Sequence, residues 1–89
     1  MQNTGKITKI LNERGDTYGD YTEMAAVSQA IKDAVLQGSA LLNPAQRESM
    51  EMIAVKMARI ACGDPNHIDS WDDIAGYATL ISNLIRGKK

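Results

Sequence analysis

The stretch from Asn43 to Arg86, NPAQRESMEMIAVKMARIACGDPNHIDSWDDIAGYATLISNLIR, decides the fold class. Asn43 is a favourable N-cap, and Pro44 suits the first helical position because a proline there gives up no helical hydrogen bond. Apolar side chains then recur every three or four residues until Gly63, which indicates one amphipathic helix. A second such pattern, predicted to begin at Ser70, follows a short acidic turn. The two patterns predict an antiparallel helical hairpin.

Two further helices are predicted before this hairpin. A short first helix is expected over residues 4–13, where apolar residues have helical spacing. Residues 14–21 contain two glycines and two aspartates and are therefore predicted to form a loop. A second helix is expected from Thr22 to about Gln37. The sequence thus predicts an all-α fold, a small bundle of about four helices with a central antiparallel hairpin, in a single helical domain spanning residues 1–89.

The composition limits both the size of the core and the classes of partner. The chain has no Phe, one Trp and three Tyr, and its apolar residues are mostly Ala, Ile, Leu and Met, which favours helix packing. A chain of 89 residues buries only a modest core by itself, so a homo-oligomer, a dimer or larger, is expected. The net charge of −1 argues against a nucleic-acid partner.

The sequence also predicts the cellular setting. The single cysteine excludes an intramolecular disulfide and a cysteine-based zinc site. No apolar run has the length of a membrane span, and no signal-peptide pattern is present. We therefore expect no membrane association and a cytoplasmic location.

Acidic side chains on the hairpin are candidate metal ligands. Glu48 and Glu51 are spaced to share one face of the third helix. A second acidic set lies at the start of the fourth helix and comprises Asp69, Asp72 and Asp73. If the two sets converged, their oxygens could hold Mg²⁺ against a triphosphate. The simpler interpretation, which we favour, is that the aspartates cap the helix and the glutamates face solvent.

Basic and aromatic side chains form a second group of candidates. Cations beside exposed aromatic rings suit a phosphate and a stacked base. The alternative is ordinary surface charge, with long side-chain stems covering the edge of the core. The candidate ligand-binding or partner-binding residues are Arg14, Tyr18, Tyr21, Lys56, Arg59 and Trp71.

Three separated motifs resemble those of a widespread group of small proteins of unknown function from tailed phages and prophages. They are ERGxxYGDY at residues 13–21, QRE with IAxKxARI within residues 46–60, and GDPNxxDSWxDIAGYA at residues 63–78. The resemblance implies a phage accessory protein in the cytoplasm of the host cell, and it implies no particular activity. The acidic sets also resemble the ExxE…ExxD pattern of the MazG-like all-α nucleotide pyrophosphohydrolases, with Asp69 where that family has Glu.

The sequence leaves two functions open. The favoured one is non-catalytic binding, either of a host defence or metabolic protein or of a nucleotide such as a signal, because no complete catalytic set is present. The alternative is a Mg²⁺-dependent MazG-like nucleoside triphosphate pyrophosphohydrolase that uses the acidic residues as metal ligands. Whether the protein is an enzyme stays open at this point.

Overall fold

Four α-helices make up the structure, a computed structural model that describes residues 4–87. A short 3-10 helix, Ser39–Leu41, precedes the third α-helix. No strand occurs between residues 4 and 87, and the prediction of an all-α fold is confirmed. Within the same residues, no helix combines the length and the apolar character needed to cross a membrane. The helices are α1 (Thr4–Tyr18), α2 (Tyr21–Leu36), α3 (Pro44–Cys62) and α4 (Ile68–Ile85).

Helix α3 lies between α2 and α4 and packs against both, whereas α2 and α4 scarcely touch each other. The first turn of α3, at Ala45, shares a small groove with the last turn of α4, at Ile85. The end of α2, at Leu36, lines another groove with Arg47 near the start of α3. Both neighbours therefore run antiparallel to α3, and the central antiparallel hairpin is confirmed.

Local sequence signals explain both ends of α3. The Asn43 side chain accepts a hydrogen bond from the Gln46 backbone N–H at 2.8 Å, and the Gln46 side chain accepts one from the Asn43 N–H at 3.0 Å. This reciprocal capping box satisfies N–H groups that would otherwise have no helical partner. The helix ends where the Gly63 N–H donates to the Arg59 carbonyl oxygen at 2.9 Å. The predicted start and end of this helix are confirmed.

The predicted loop over residues 14–21 is wrong, because α1 continues to Tyr18. Only Gly19 and Asp20 separate α1 from α2. Gly19 has a φ of 84°, which glycine adopts without a steric penalty, and its N–H donates to the Gly15 carbonyl oxygen at 2.8 Å. This bond closes the last turn of α1. A single glycine inside a helix costs only about 1 kcal/mol, so Gly15 does not end the helix.

The start of α2 also differs from the prediction by one residue. The Asp20 carboxylate accepts a hydrogen bond from the Glu23 N–H at 3.0 Å, so Asp20 is the N-cap and Tyr21 the first helical residue. Thr22, at which the helix was expected to begin, is its second residue. The chain thus passes from one helix to the next with no room for a flexible loop.

The predicted start of the fourth helix at Ser70 is wrong as well. Helix α4 starts at Ile68, with His67 at the N-cap position and without a side-chain cap. Ser70 therefore lies inside the first turn, and it is buried, with only 3% of its surface exposed. A serine that faces the core cannot reach the free N–H groups of its own helix. The connection between α3 and α4 is shortened to residues 63–67.

The buried core is small and consists of small side chains. Among residues 4–87, the buried apolar residues are Met24, Ala54 and Ala58. One serine is buried on each of the three packed helices, namely Ser28, Ser49 and Ser70. Small residues at these crossings allow the helices to approach closely but bury little apolar area. The predicted apolar stripes therefore face the core only in part.

The corner between α1 and α2 packs directly on the end of α3, backbone against backbone. The Asp64 N–H donates to the Thr17 carbonyl oxygen at 2.7 Å. A Cβ atom on Gly19 would collide with the last carbonyl group of α3, and one on Gly63 would lie 2.5 Å from the Tyr18 Cα. Neither position has space for a side chain, so the two glycines determine how α1 sits on α3.

We expect Gly63→Ala to lower the free energy of unfolding by about 1–3 kcal/mol, because the added methyl group has no space. The matched control is Gly76→Ala in α4, where a Cβ meets nothing within 4 Å. That control should stabilise the helix by roughly 0.5–1 kcal/mol. Urea unfolding followed by circular dichroism measures both. Equal unfolding midpoints for Gly63→Ala and the wild type would contradict the close backbone approach.

Candidate functional site

An open cavity of about 690 Å³ lies at the corner where α1 turns into α2. The last turns of α1, the corner itself and the start of α2 form most of its wall, and α3 contributes Arg59. This volume falls within the range of small-molecule sites. The structure brings four of the six predicted binding residues to this cavity: Arg14, Tyr18, Tyr21 and Arg59.

Basic side chains from three parts of the chain surround the ring of Tyr18. The guanidinium carbon of Arg59 lies 4.6 Å from the centre of the ring, and that of Arg14 lies 5.1 Å from it. The imidazole of His67 packs edge-on, with the ring centres 5.5 Å apart. Cation–π contacts of this kind contribute about 0.5–2 kcal/mol and orient the guanidinium groups, but they leave the positive charge in place.

The guanidinium of Arg59 is not satisfied by the protein. Its Nε atom is buried and has no hydrogen-bond partner within residues 4–87. In the same residues, no carboxylate lies within 4 Å of the guanidinium nitrogens of Arg14 or Arg59. A guanidinium carries five N–H donors and stays charged at neutral pH. The wall of the cavity therefore offers two positive groups with free donors to an anion.

The remaining polar wall of the cavity comes from the corner and the start of α2. Tyr21 is 76% exposed, so its ring is available to a flat ligand. The carboxylate of Asp20 is already used as the N-cap of α2. Asp16, on the last turn of α1, is exposed at the wall and can accept hydrogen bonds from hydroxyl groups. Cations, an exposed ring and an acceptor thus share one surface.

The other two predicted binding residues lie elsewhere. The Lys56 ammonium is 3.0 Å from a carboxylate oxygen of Asp73, and this pair joins α3 to α4. The Lys56 side chain is only 12% exposed, so its charge serves the helix contact. The indole N–H of Trp71 donates to the Pro65 carbonyl oxygen at 2.8 Å, which ties the first turn of α4 to the preceding loop. Neither side chain lines the cavity.

The five acidic candidates for a metal site do not converge in the described part of the chain. Between residues 4 and 87, no three Asp, Glu, His or Cys side chains lie close enough together to hold one metal ion. Glu48 and Asp72 are exposed. The other three have basic neighbours, since Glu51 pairs with Arg47, Asp73 pairs with Lys56, and Asp69 lies beside His67. The geometry of a single chain gives the Mg²⁺ alternative no support.

Sequence reasoning missed several residues of the cavity because it ended the first helix too early. Leu11, Asn12 and Met24 line the cavity together with the predicted residues. Leu11 and Tyr18 are seven residues apart, a spacing that places them on one face only if the helix continues. Extending the helical pattern through the glycine at position 15 would have revealed this face.

Comparison with known proteins identifies a family for nearly the whole chain. A family model described as "Domain of unknown function (DUF6378)" matches residues 5–85. No curated protein and no solved structure matches the chain. The matched residues extend from the second residue of α1 to the last residue of α4 and include the whole wall of the cavity.

We expect Asp73→Asn to lower the free energy of unfolding by on the order of 1 kcal/mol, because it leaves the nearly buried Lys56 charge without its counter-ion. The matched control is Asp72→Asn, which removes an exposed charge from the same turn of α4. That change should stay within about 0.5 kcal/mol of the wild type. Urea titration measures both, and equal effects for the two variants would show that the ion pair contributes nothing.

Proposed function

This chain belongs to the DUF6378 family, and we propose that its function is to bind a nucleotide in the cavity at the corner of α1 and α2, without converting it. The observation that carries the proposal is the Arg59 guanidinium, which lies against Tyr18 with a buried and unpartnered Nε. The buried Nε itself has no surface for a ligand to touch, but Arg59 lines the cavity and has no carboxylate within 4 Å in residues 4–87, so the rest of its guanidinium can interact with a ligand there. The positive charge of the group favours an anion as that ligand.

Phosphate is the anion that this arrangement suits best. Guanidinium groups bind phosphate oxygens through two parallel N–H donors, and such charge-assisted bonds are stronger than neutral ones. Arg14 and Arg59 flank the same ring, so their charges can act on one phosphate or on two linked phosphates.

The aromatic and acidic parts of the wall favour a nucleotide over an inorganic phosphate. The exposed ring of Tyr21 offers a stacking surface for a base, which contributes about 1–3 kcal/mol in single-stranded nucleic-acid complexes. Asp16 can accept hydrogen bonds from the hydroxyl groups of a ribose. Inorganic phosphate would use the arginines alone and leave these two residues without a role.

The positions of the carboxylates support the proposal of binding without conversion. A metal-dependent hydrolase needs several carboxylates around one point beside the phosphates. The described residues hold no such group, and one of the two carboxylates at the cavity caps α2. The resemblance to phage proteins makes nucleotide signals of host defence the first ligands to examine. The homo-oligomeric state and the cytoplasmic location stay predictions.

A thermal-melt screen of the full chain tests the proposal. The ligands are nucleoside triphosphates and cyclic dinucleotides, each with and without Mg²⁺, and inorganic pyrophosphate serves as the comparison. A ligand at 100 times its dissociation constant adds about 2.7 kcal/mol of apparent stability, which is readily detected. We expect a shift without Mg²⁺ and no product by chromatography. Mg²⁺-dependent product would show an enzyme, and no shift with any nucleotide would overturn the proposal.

We expect Arg59→Gln to weaken binding of the best nucleotide by about 10- to 100-fold, because it removes one charge-assisted interaction with phosphate. The matched control is Arg47→Gln, which removes an arginine paired with Glu51 outside the cavity and should leave the affinity unchanged. Isothermal titration calorimetry gives both dissociation constants.

Tyr21→Ala provides a second variant, since Tyr21 is largely exposed and its loss does not disturb the core. This variant should weaken nucleotide binding while leaving pyrophosphate binding unaltered. Equal affinities of the wild type, Arg59→Gln and Tyr21→Ala would place the ligand elsewhere.

A further inference from the structure

Several exposed residues without charge lie along α4 and on the neighbouring part of α3. We define an uncharged face by five exposed residues: Met57, Trp71, Ala75, Ala78 and Ile85. From its area, chemistry and spacing we infer that a second copy of this chain covers it, with the two α4 helices antiparallel and centred on Ala78. This inference is independent of the proposed nucleotide site.

The ion pair between Lys56 and Asp73 shows where this face lies. It marks one side of the α3–α4 pair. Met57 follows Lys56 by one residue, a rotation of about 100° around α3. Trp71 precedes Asp73 by two residues, a rotation of about 200° around α4. Both side chains therefore point away from the side of the ion pair.

The line along α4 is apolar from end to end. Trp71, Ala78 and Ile85 are spaced by seven residues, so they lie above one another on the helix surface. Ala75 and Ser82 lie between them, and no charged residue interrupts the line. Trp71 is 52% exposed and Ile85 is 70% exposed. Large exposed apolar patches normally mark interaction surfaces.

The surface of the single chain is larger than its mass explains. The accessible surface is 6531 Å², whereas a folded monomer of 9.7 kDa is expected to expose about 5,100 Å². The radius of gyration is 15.6 Å, compared with about 12 Å for a folded domain of this length. A standard interface buries about 800 Å² on each partner, which is less than the excess of the whole chain, and the exposed residues of α1 contribute to that excess as well.

A second copy fits the face better than a charged partner does. In a twofold interface residue i meets residue j of the partner, and only a residue at the axis meets its own copy, so a charge at the axis would face its own kind. The uncharged face avoids that repulsion. If the axis passes through Ala78, an antiparallel pair of α4 helices places Trp71 against the partner subunit's Ile85, because both are seven residues from the centre. The small residues Ala75 and Ala78 let the two helices approach closely.

The cavity stays open in such a dimer. Arg59 lies three residues after Lys56, so the two side chains occupy neighbouring positions on α3, one turn apart. Helix α4 contributes no residue to the cavity wall. Each copy therefore keeps its own ligand site, and loss of the dimer does not by itself remove nucleotide binding.

Sedimentation equilibrium of the full chain over a range of micromolar concentrations tests the inference. We expect the wild type to have twice the mass of one chain and Ala78→Glu to have the mass of one chain, because two carboxylates would meet at the twofold axis. The matched control is Thr79→Glu, which adds the same charge at the next, exposed position of α4 and should remain dimeric. Circular dichroism checks that each variant is folded.

A cross-linking variant keeps the inference testable if Ala78→Glu fails to fold. In the background Cys62→Ser, Ala78→Cys should form a disulfide-linked dimer on mild oxidation, and Thr79→Cys should do so much more slowly. If the wild type is monomeric at all concentrations, the inference is wrong, and the partner that covers the face would be a different protein. A dimer that persists in folded Ala78→Glu would also overturn it, since the contact would then lie elsewhere.

Discussion

The close approach of two backbone segments at Gly19 and Gly63 is the constraint on which the rest of the structure depends. Hydrogen bonding between the Asp64 N–H and the Thr17 carbonyl group holds the end of α1 on the end of α3. The approach is possible only because neither glycine has a side chain. It brings Tyr18 beneath the guanidinium of Arg59, which lies one turn before the end of α3. The candidate site therefore depends on the packing of the end of α1 against the end of α3.

The distribution of charge divides the protein into regions with different properties. Around Tyr18, the guanidinium groups of Arg14 and Arg59 have no carboxylate within 4 Å in the described residues. Between α3 and α4, the positive charge of Lys56 is matched by Asp73. Along α4, Trp71, Ala78 and Ile85 form a line that no charged residue interrupts. A chain with a net charge of only −1 thus combines two clustered arginines with exposed apolar residues on another helix.

The sequence predicted correctly those helix ends that are determined by residues adjacent in the chain. The asparagine, proline and glutamine at the start of α3 satisfy one another, so the pattern alone placed this helix correctly. The end of α1 could not be predicted in the same way, because the local sequence at Gly15 and Asp16 favours a turn. Their helical conformation is supported by the contacts of the following Tyr18 with α3, and those contacts are absent from any local pattern.

The candidate site shows the same division between local and long-range information. The pairing of cations with tyrosines selected Arg14, Tyr18, Tyr21 and Arg59, which the fold gathers at one cavity. Lys56 is also basic and lies on the same helix as Arg59, yet it pairs with an aspartate on α4. The contact with α4 therefore decides which of these two residues has a carboxylate partner. Only the packing of α4 on α3 separates them.

The attachment of α1 at one end has a consequence for its dynamics. The helix is held through Thr17 and Tyr18, whereas Ile7, Ile10 and Leu11 are more than half exposed and bury little area. Opening the first turns of α1 therefore breaks few tertiary contacts, and such segments open with a small free energy. Protection of the backbone amides against hydrogen exchange should rise along α1 from its start to Tyr18. A ligand held at Tyr18 would slow the exchange of the last turns most.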